Sequence, residues 1–241
     1  MKNSLTVVCL LLSSCIFQKQ NLSYYQKNFE KLKYTEQANN IAKKILFLLK
    51  EKELFYSKAT PYLLYLAKHA ESTDEQAAYQ EKLASIYFKK PAQVNKAIQI
   101  WFNLIATAKE NKKNQYKILI AKGYFKNKKY KQALLELRNM KGLNKKMSLS
   151  AQLLKIKIFL ELRQWHKVID LYKAVKINFY LEYKKQELAL GLIAAYKQLS
   201  LHQLILQELQ ELKAYHAFPR FVERRISIVK KRIKNQPKLR R

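Results

Sequence analysis

The sequence predicts an all-α protein built from antiparallel helix hairpins, and three observations carry the prediction. Glycine occurs only three times and proline four times in 241 residues, and no Asn-Gly or Asp-Gly pair is present. Tight β-hairpins depend on such residues, whereas helix hairpins can turn on ordinary polar ones. From Ser23 onward, apolar residues recur at intervals of three and four, the period of one helix face. Finally, one spacing pattern returns along the chain at nearly constant distance, which is the signature of a repeat architecture.

Composition sets the outer limits. A chain of 241 residues can bury a sizeable core, and its 49% hydrophobic content excludes a disordered polybasic polymer. The formal net charge is +31, mostly from lysine. One reading is attraction to an anionic partner, whether nucleic acid, acidic protein or membrane. The other is a set of helices whose wet faces are solvated by lysine. Both stay open on composition alone.

Residues 1–14 have the three parts of a secretory leader: Lys2, the apolar run Leu5 to Leu12, then Ser13 and Ser14. The run is too short to cross a bilayer, which takes about 20 residues. Leu12, Ser13, Ser14 and Cys15 follow an aliphatic, small, small, cysteine order that resembles the lipobox of bacterial lipoproteins. The resemblance implies cleavage after Ser14 and a diacylglycerol thioether on Cys15, with residues 15–22 linking the anchor to the folded chain. It also places the protein in a bacterial cell envelope facing the periplasm or cell surface, and Ile16, not an acidic residue, after the cysteine favours the outer membrane. Cys9 and Cys15 are the only two cysteines, so the mature chain is expected to carry no free thiol, internal disulfide or cysteine metal site.

Residues 23–77 are expected to form degenerate helical pairs. A first helix is predicted from Tyr24 to about Phe55, with a break near Thr35 because the inner face shifts from Tyr25, Phe29 and Leu32 to Ala38, Ile41, Ile45 and Leu48. Thr60-Pro61 reads as an N-cap followed by proline at the first helical position. Thr73 and Gln76 are spaced like a capping box.

The repeats occupy residues 78–216. Ala121, Tyr124, Tyr130, Ala133, Leu137 and Met140 fall three, six, three, four and three residues apart. The same intervals recur 35 residues later, from Ile156 through Phe159, Trp165, Val168 and Tyr172 to Val175, and 36 residues earlier, from Ser85 through Phe88, Val94, Ala97 and Trp101 to Leu104. A looser copy, 37 residues after the third, uses Ile193, Tyr196, His202, Ile205, Leu209 and Leu212. The pattern resembles the tetratricopeptide repeat, which implies an antiparallel solenoid in which small residues let paired helices approach and large ones fill the seams. It departs from that family where Ile156, Val168, Ile193 and Ile205 replace small residues, and where no copy ends in proline. Wider helix crossings are the expected result.

Residues 217–241 form the predicted capping helix and tail. From Pro219 onward there are ten basic residues and one acidic, Glu223, while Val222, Ile226, Val229 and Ile233 make an apolar stripe at helical spacing. The stripe fits a cap over the last repeat, and the basic face fits a membrane surface or an acidic partner.

No catalytic constellation emerges. Three scattered glycines, Gly123, Gly142 and Gly191, cannot build a phosphate-binding loop. His69, His166, His202 and His216 lack metal-ligand spacing. The chain is accordingly read as a non-enzyme with no cofactor or metal.

In the family it resembles, the first helix of each pair lines a concave groove. Carried over residue by residue, the groove takes Lys82, Ile86, Lys89 and Lys90, then Ile118, Lys122, Phe125 and Lys126. The third and fourth copies add Leu153, Lys157, Leu160 and Glu161, then Leu190, Ala194 and Lys197. An apolar floor with a basic rim points to an acidic, partly apolar protein segment. The carboxylate clamp of chaperone-binding members is not matched, since only Lys82 holds a clamp lysine place and Ile86 replaces the expected asparagine. The resemblance therefore implies a lipid-anchored scaffold or adaptor for other envelope proteins. The competing class is a basic helical-repeat protein that binds nucleic acid or an anionic membrane surface; the charge argues for nucleic acid and the leader argues against it.

Overall fold

The computed structural model describes residues 22–33, 35, 37–51, 54–138, 140–185 and 187–235. The predicted leader, Cys15 and all of the linker except Leu22 lie outside the described residues, as do Lys238, Arg240 and Arg241. Every regular element among the described residues is helical, so the fold is all-α as the sequence predicts. Within each unit, helices pack against their neighbours in chain order. The chain divides into two compact units between Asn127 and Lys128, a boundary inside the second repeat copy.

Unit 1 begins with α1, residues 22–32. It continues with α2 (Gln37–Glu51), α3 (Phe55–Lys58), α4 (Thr60–Lys68), α5 (Thr73–Lys89), a 3₁₀ turn (Pro91–Gln93), α6 (Val94–Thr107) and α7 (Glu110–Lys126). The break near Thr35 is present. There the backbone N–H and the hydroxyl of Thr35 both donate to the carbonyl of Leu32, each at 2.8 Å, a local bond that competes with helix continuation.

Two cap assignments shift by one residue. Ala59, not Thr60, precedes α4, and the Thr60 hydroxyl is buried without a hydrogen-bond partner. At α5 the cap is Ser72, whose hydroxyl accepts from the N–H of Glu75 at 3.1 Å. Glu75 reaches back to the N–H of Glu71 at 3.2 Å, while Gln76 donates to the carbonyl of Ala67 at 3.1 Å. Serine caps as well as threonine, so its extended backbone decides which of the two acts.

Unit 2 contains α8 (Tyr130–Glu136), α9 (Lys145–Glu161), α10 (Trp165–Asn178), α11 (Tyr180–Lys185), α12 (Leu188–Gln198), α13 (His202–Lys213) and α14 (Pro219–Lys234). The second helix of each copy opens at Val94, Tyr130, Trp165 or His202, which is the third position of the pattern every time. Lys128, Arg163 and Ser200 stand two residues before three of these starts, with φ of 58°, 53° and 55°. The N–H of Gln164 bonds the carbonyl of Phe159 at 2.9 Å and that of Leu201 bonds Tyr196 at 3.0 Å, the six-to-one bond of a Schellman turn. In the first copy, Lys90-Pro91 and the 3₁₀ turn take its place.

The fourth and fifth pattern residues of every copy are buried: Ala97 and Trp101, Ala133 and Leu137, Val168 and Tyr172, Ile205 and Leu209. Ser85 departs from the pattern. It is exposed and its hydroxyl donates to the carbonyl of Glu81 at 2.9 Å, while the adjacent Ala84 packs in the core. Helix α8 has only seven residues, which leaves Met140 in the following loop. The predicted cap is in place: α14 packs against α13, with Val222 and Val229 buried and Ile226 and Ile233 packed on the same core.

A buried polar knot ties α10, α11 and α13 together. Glu208, 5% exposed, accepts from the Tyr183 hydroxyl at 2.7 Å and from Lys176 Nζ at 2.8 Å. Lys176 also pairs with Glu211 at 2.7 Å. Burial works against the Lys176 ammonium, but the two carboxylates outweigh it and raise its pKa above the usual value. Burial, then the bond to Glu208, raises that of Tyr183.

The approach of α12 to α10 is set by Gly191, where a β-carbon would strike the hydroxyl and ring of Tyr172. Gly191→Ala should therefore destabilise unit 2 by roughly 1–3 kcal/mol, the usual cost of overpacking. Tyr172→Phe should recover part of that loss, as read by urea unfolding of both variants and the double variant. Simple additivity of the two would contradict the contact.

Candidate functional site

The α2 sequence places Ala42, Ile45, Leu46 and Leu49 against the core. Lys43, Phe47 and Lys50 recur at four and three, so they share a second stripe beside that buried face. Phe47 is 62% exposed. Facing this stripe are Phe55 and Tyr56 from α3 and Tyr79 and Lys82 from α5, which with Leu46 enclose a cleft of about 830 Å³. A smaller cavity of about 370 Å³, lined by Tyr25, Lys43, Lys44, Phe47 and Leu48, adjoins it. Phe47 and Lys43 belong to both.

Among the described residues, the charged side chains lining the larger cleft are Lys43, Lys50 and Lys82. Lys89, one stripe further along α5, holds its Nζ 3.2 Å from the centroid of the Tyr56 ring, a cation–π contact that keeps this half-exposed aromatic in place. Lys82 Nζ lies 5.5 Å from the Tyr79 ring. At the cleft edge Lys43 pairs with Glu75 Oε1 at 2.9 Å, and the Tyr79 hydroxyl donates to the same oxygen at 3.0 Å. The Glu75 carboxyl is held below its ordinary value by the bond to Lys43, then by the N–H of Glu71 and the Tyr79 hydroxyl. Burial, then Glu75, raises the pKa of Tyr79. Aromatic faces, an aliphatic wall and ammonium groups suit an apolar side chain flanked by carboxylates.

The groove expected from the repeat resemblance is redistributed. In unit 1, Lys82 lines the cleft and Lys89 sits over Tyr56, but Lys126 donates to the carbonyl of Phe88 at 2.9 Å and lies 4.1 Å from its ring centroid. Lys90 precedes the proline turn, and Lys122 and Phe125 are half-buried on α7. The expected floor is corrected: Ile86 is 0% and Ile118 5% exposed, because both point into the helix stack. In unit 2, Lys157 is exposed on α9, whereas Lys197 lines a separate cavity. Lys43, Phe47, Lys50 and Tyr56 had no signal in the repeat pattern, since they precede its first copy; the four-and-three spacing on α2 was the available clue.

Among the described residues, no group of three or more His, Cys, Asp and Glu could hold a metal ion. Likewise, no described helix is long and apolar enough to cross a membrane. Comparison with protein-family models, with curated proteins and with solved structures finds no match to the chain.

The Lys43–Glu75 pair joins α2 to α5 across the cleft, and its pH dependence has a definite sign. A carboxyl whose folded pKa lies below its ordinary value of 4.5 stabilises the fold above that value and loses the contribution as pH falls through the folded pKa. Glu75→Gln should lower the melting temperature at neutral pH, with the gap to the parent closing below about pH 4. A gap that persists unchanged at pH 3 would contradict this.

Proposed function

We propose that the chain is a membrane-anchored interaction module of a bacterial cell envelope, a scaffold or adaptor that grips an acidic, partly apolar segment of another protein in the α2–α3–α5 cleft. The observation that carries the reading is Phe47, exposed between two cavities and flanked by Lys43, Lys44, Lys50 and Lys82. A cleft of about 830 Å³ falls within the range that encloses a ligand-sized group.

Magnitudes apportion the roles. Burying a phenylalanine side chain stabilises a complex by about 1.5–3 kcal/mol, whereas an exposed ion pair contributes roughly 0–1 kcal/mol. The aromatic floor therefore supplies most of the grip. The lysines select acidic partners and speed their encounter.

The lipobox resemblance supplies the location: an acyl anchor on Cys15, in the outer membrane by preference. Two acyl chains at about 0.8 kcal/mol per buried methylene make such an anchor durable. The likeness to tetratricopeptide repeats supplies the role, since that architecture works by presenting surfaces and not by reacting.

A photo-crosslinking amino acid at Phe47 should capture an envelope protein through an acidic stretch. Lys50→Glu with Lys82→Glu should reduce that capture at least ten-fold, while a fatty-acid label should require Cys15 and vanish in Cys15→Ala. Capture unaffected by the charge reversals would remove the cleft from the account, and label persisting without Cys15 would remove the anchor.

A further inference from the structure

The face of α14 turned away from the core has an order of its own. Phe221 and Ile228 are seven residues apart and each is 47% exposed. Arg224 and Lys231 follow them at three residues and Arg225 and Arg232 at four, so a helical period places one cation of each pair on either side of the apolar strip. Phe218, 71% exposed, extends the strip at the amino end. The only acidic residue of α14, Glu223, lies on the opposite flank, where it pairs with Lys213 of α13 at 2.7 Å.

Beside the strip is a cavity of about 340 Å³ between α12, α13 and α14, whose charged lining residues are Lys197, Arg225 and Arg232. Its apolar wall includes Ile193, Leu209 and Val229. Arg225 stacks its guanidinium 4.6 Å from the centroid of the Phe221 ring, which holds both side chains to the same ridge.

We propose that this ridge of α14 docks in the plane of an anionic lipid surface. Phe218, Phe221 and Ile228 enter the headgroup boundary, and Arg224, Arg225, Lys231 and Arg232 pair with lipid phosphates on both sides. The arrangement answers the two requirements of an interfacial helix, an apolar strip to insert and cations at its borders. The buried stripe of Val222, Ile226, Val229 and Ile233 remains packed on α13, so docking needs no unfolding. A partly apolar acidic segment, the occupant proposed for the α2–α3–α5 cleft, is gripped by an enclosing pocket, whereas Phe218, Phe221 and Ile228 stand exposed along one helix face with cations on both borders, the form that suits a planar lipid surface. Nucleic acid would gain little from the aliphatic Ile228. The inference does not depend on the α2–α3–α5 cleft.

The test is vesicle co-sedimentation of the full chain carrying Cys15→Ser, so that no acyl group contributes and the amino-terminal segment is common to every variant. Binding should be stronger to phosphatidylcholine vesicles containing phosphatidylglycerol than to phosphatidylcholine alone. The triple variant Phe218→Ala, Phe221→Ala, Ile228→Ala should weaken it at least ten-fold with the charge intact. Arg224→Gln with Lys231→Gln should weaken it about 25-fold, near five-fold per cation. Phe218 and Phe221 also meet the His216 ring, each at 6.2 Å between centroids, so a cooperative melt above the assay temperature checks that both variants stay folded. Equal binding to both vesicle types, or anionic binding indifferent to the triple variant, would overturn the proposal. So would a concentration-dependent dimer abolished by the same three substitutions without vesicle binding, which would make a second copy the occupant.

Discussion

Each unit depends on the dry seams between its own packed helices. In the repeat copies their geometry follows from intervals of three, six, three, four and three residues, which bring one side of a helix against the next after a turn of fixed length. Trp101, Leu137, Tyr172 and Leu209 occupy the same place in successive copies and are all buried. The constraint reaches into the turns. Lys128, Arg163 and Ser200 adopt left-handed backbone at φ between 53° and 58°, at a cost of about 1–2 kcal/mol per residue. Arg163 and Ser200 persist because the packing of α9 on α10 and of α12 on α13 over-determines them. Packing of α2 on α4 leaves Lys43, Phe47 and Lys50 outside the core, and the contact of α14 with α13 fixes which face of α14 is left to solvent.

The lysine content takes on structural meaning in this frame. Lys89 lies over Tyr56, Lys126 over Phe88, Lys167 over Phe159 and Lys184 over Tyr180, all within 5.2 Å of the ring centroid. A lysine stem covers apolar surface while its ammonium keeps its water, so a basic coat can shield aromatic helix faces from self-association. Part of the +31 charge therefore lies over aromatic rings as cover. On α2 and α14 cations also border exposed apolar side chains, Phe47 on one and Phe221 and Ile228 on the other.

The fold class was legible because scarce glycine, helical periodicity and the repeat all constrain the same backbone. Helix starts at Val94, Tyr130, Trp165 and His202 could be read from the pattern, as could the buried stripe of α14. The left-handed turn residues could not, since their usual marker is glycine and these positions hold lysine, arginine and serine. Glu208 was equally hidden: a glutamate on an amphipathic helix reads as solvent-facing, and only the approach of Tyr183 and Lys176 makes it a buried acceptor. The site was legible in character and not in place. A basic rim around an apolar floor was expected, but Ile86 and Ile118 turn inward, and the open aromatics come from helices that precede the repeat.

The central claim is that the seams of stacked hairpins hold the chain together, and amide hydrogen exchange followed by mass spectrometry tests it most directly. Amides of α6, α10, α12 and α13 should exchange slowest, with the turns before Val94, Trp165 and His202 and the segment at residues 140–144 exchanging fastest. Uniformly rapid exchange across those four helices, or the strongest protection in the loops, would contradict the account.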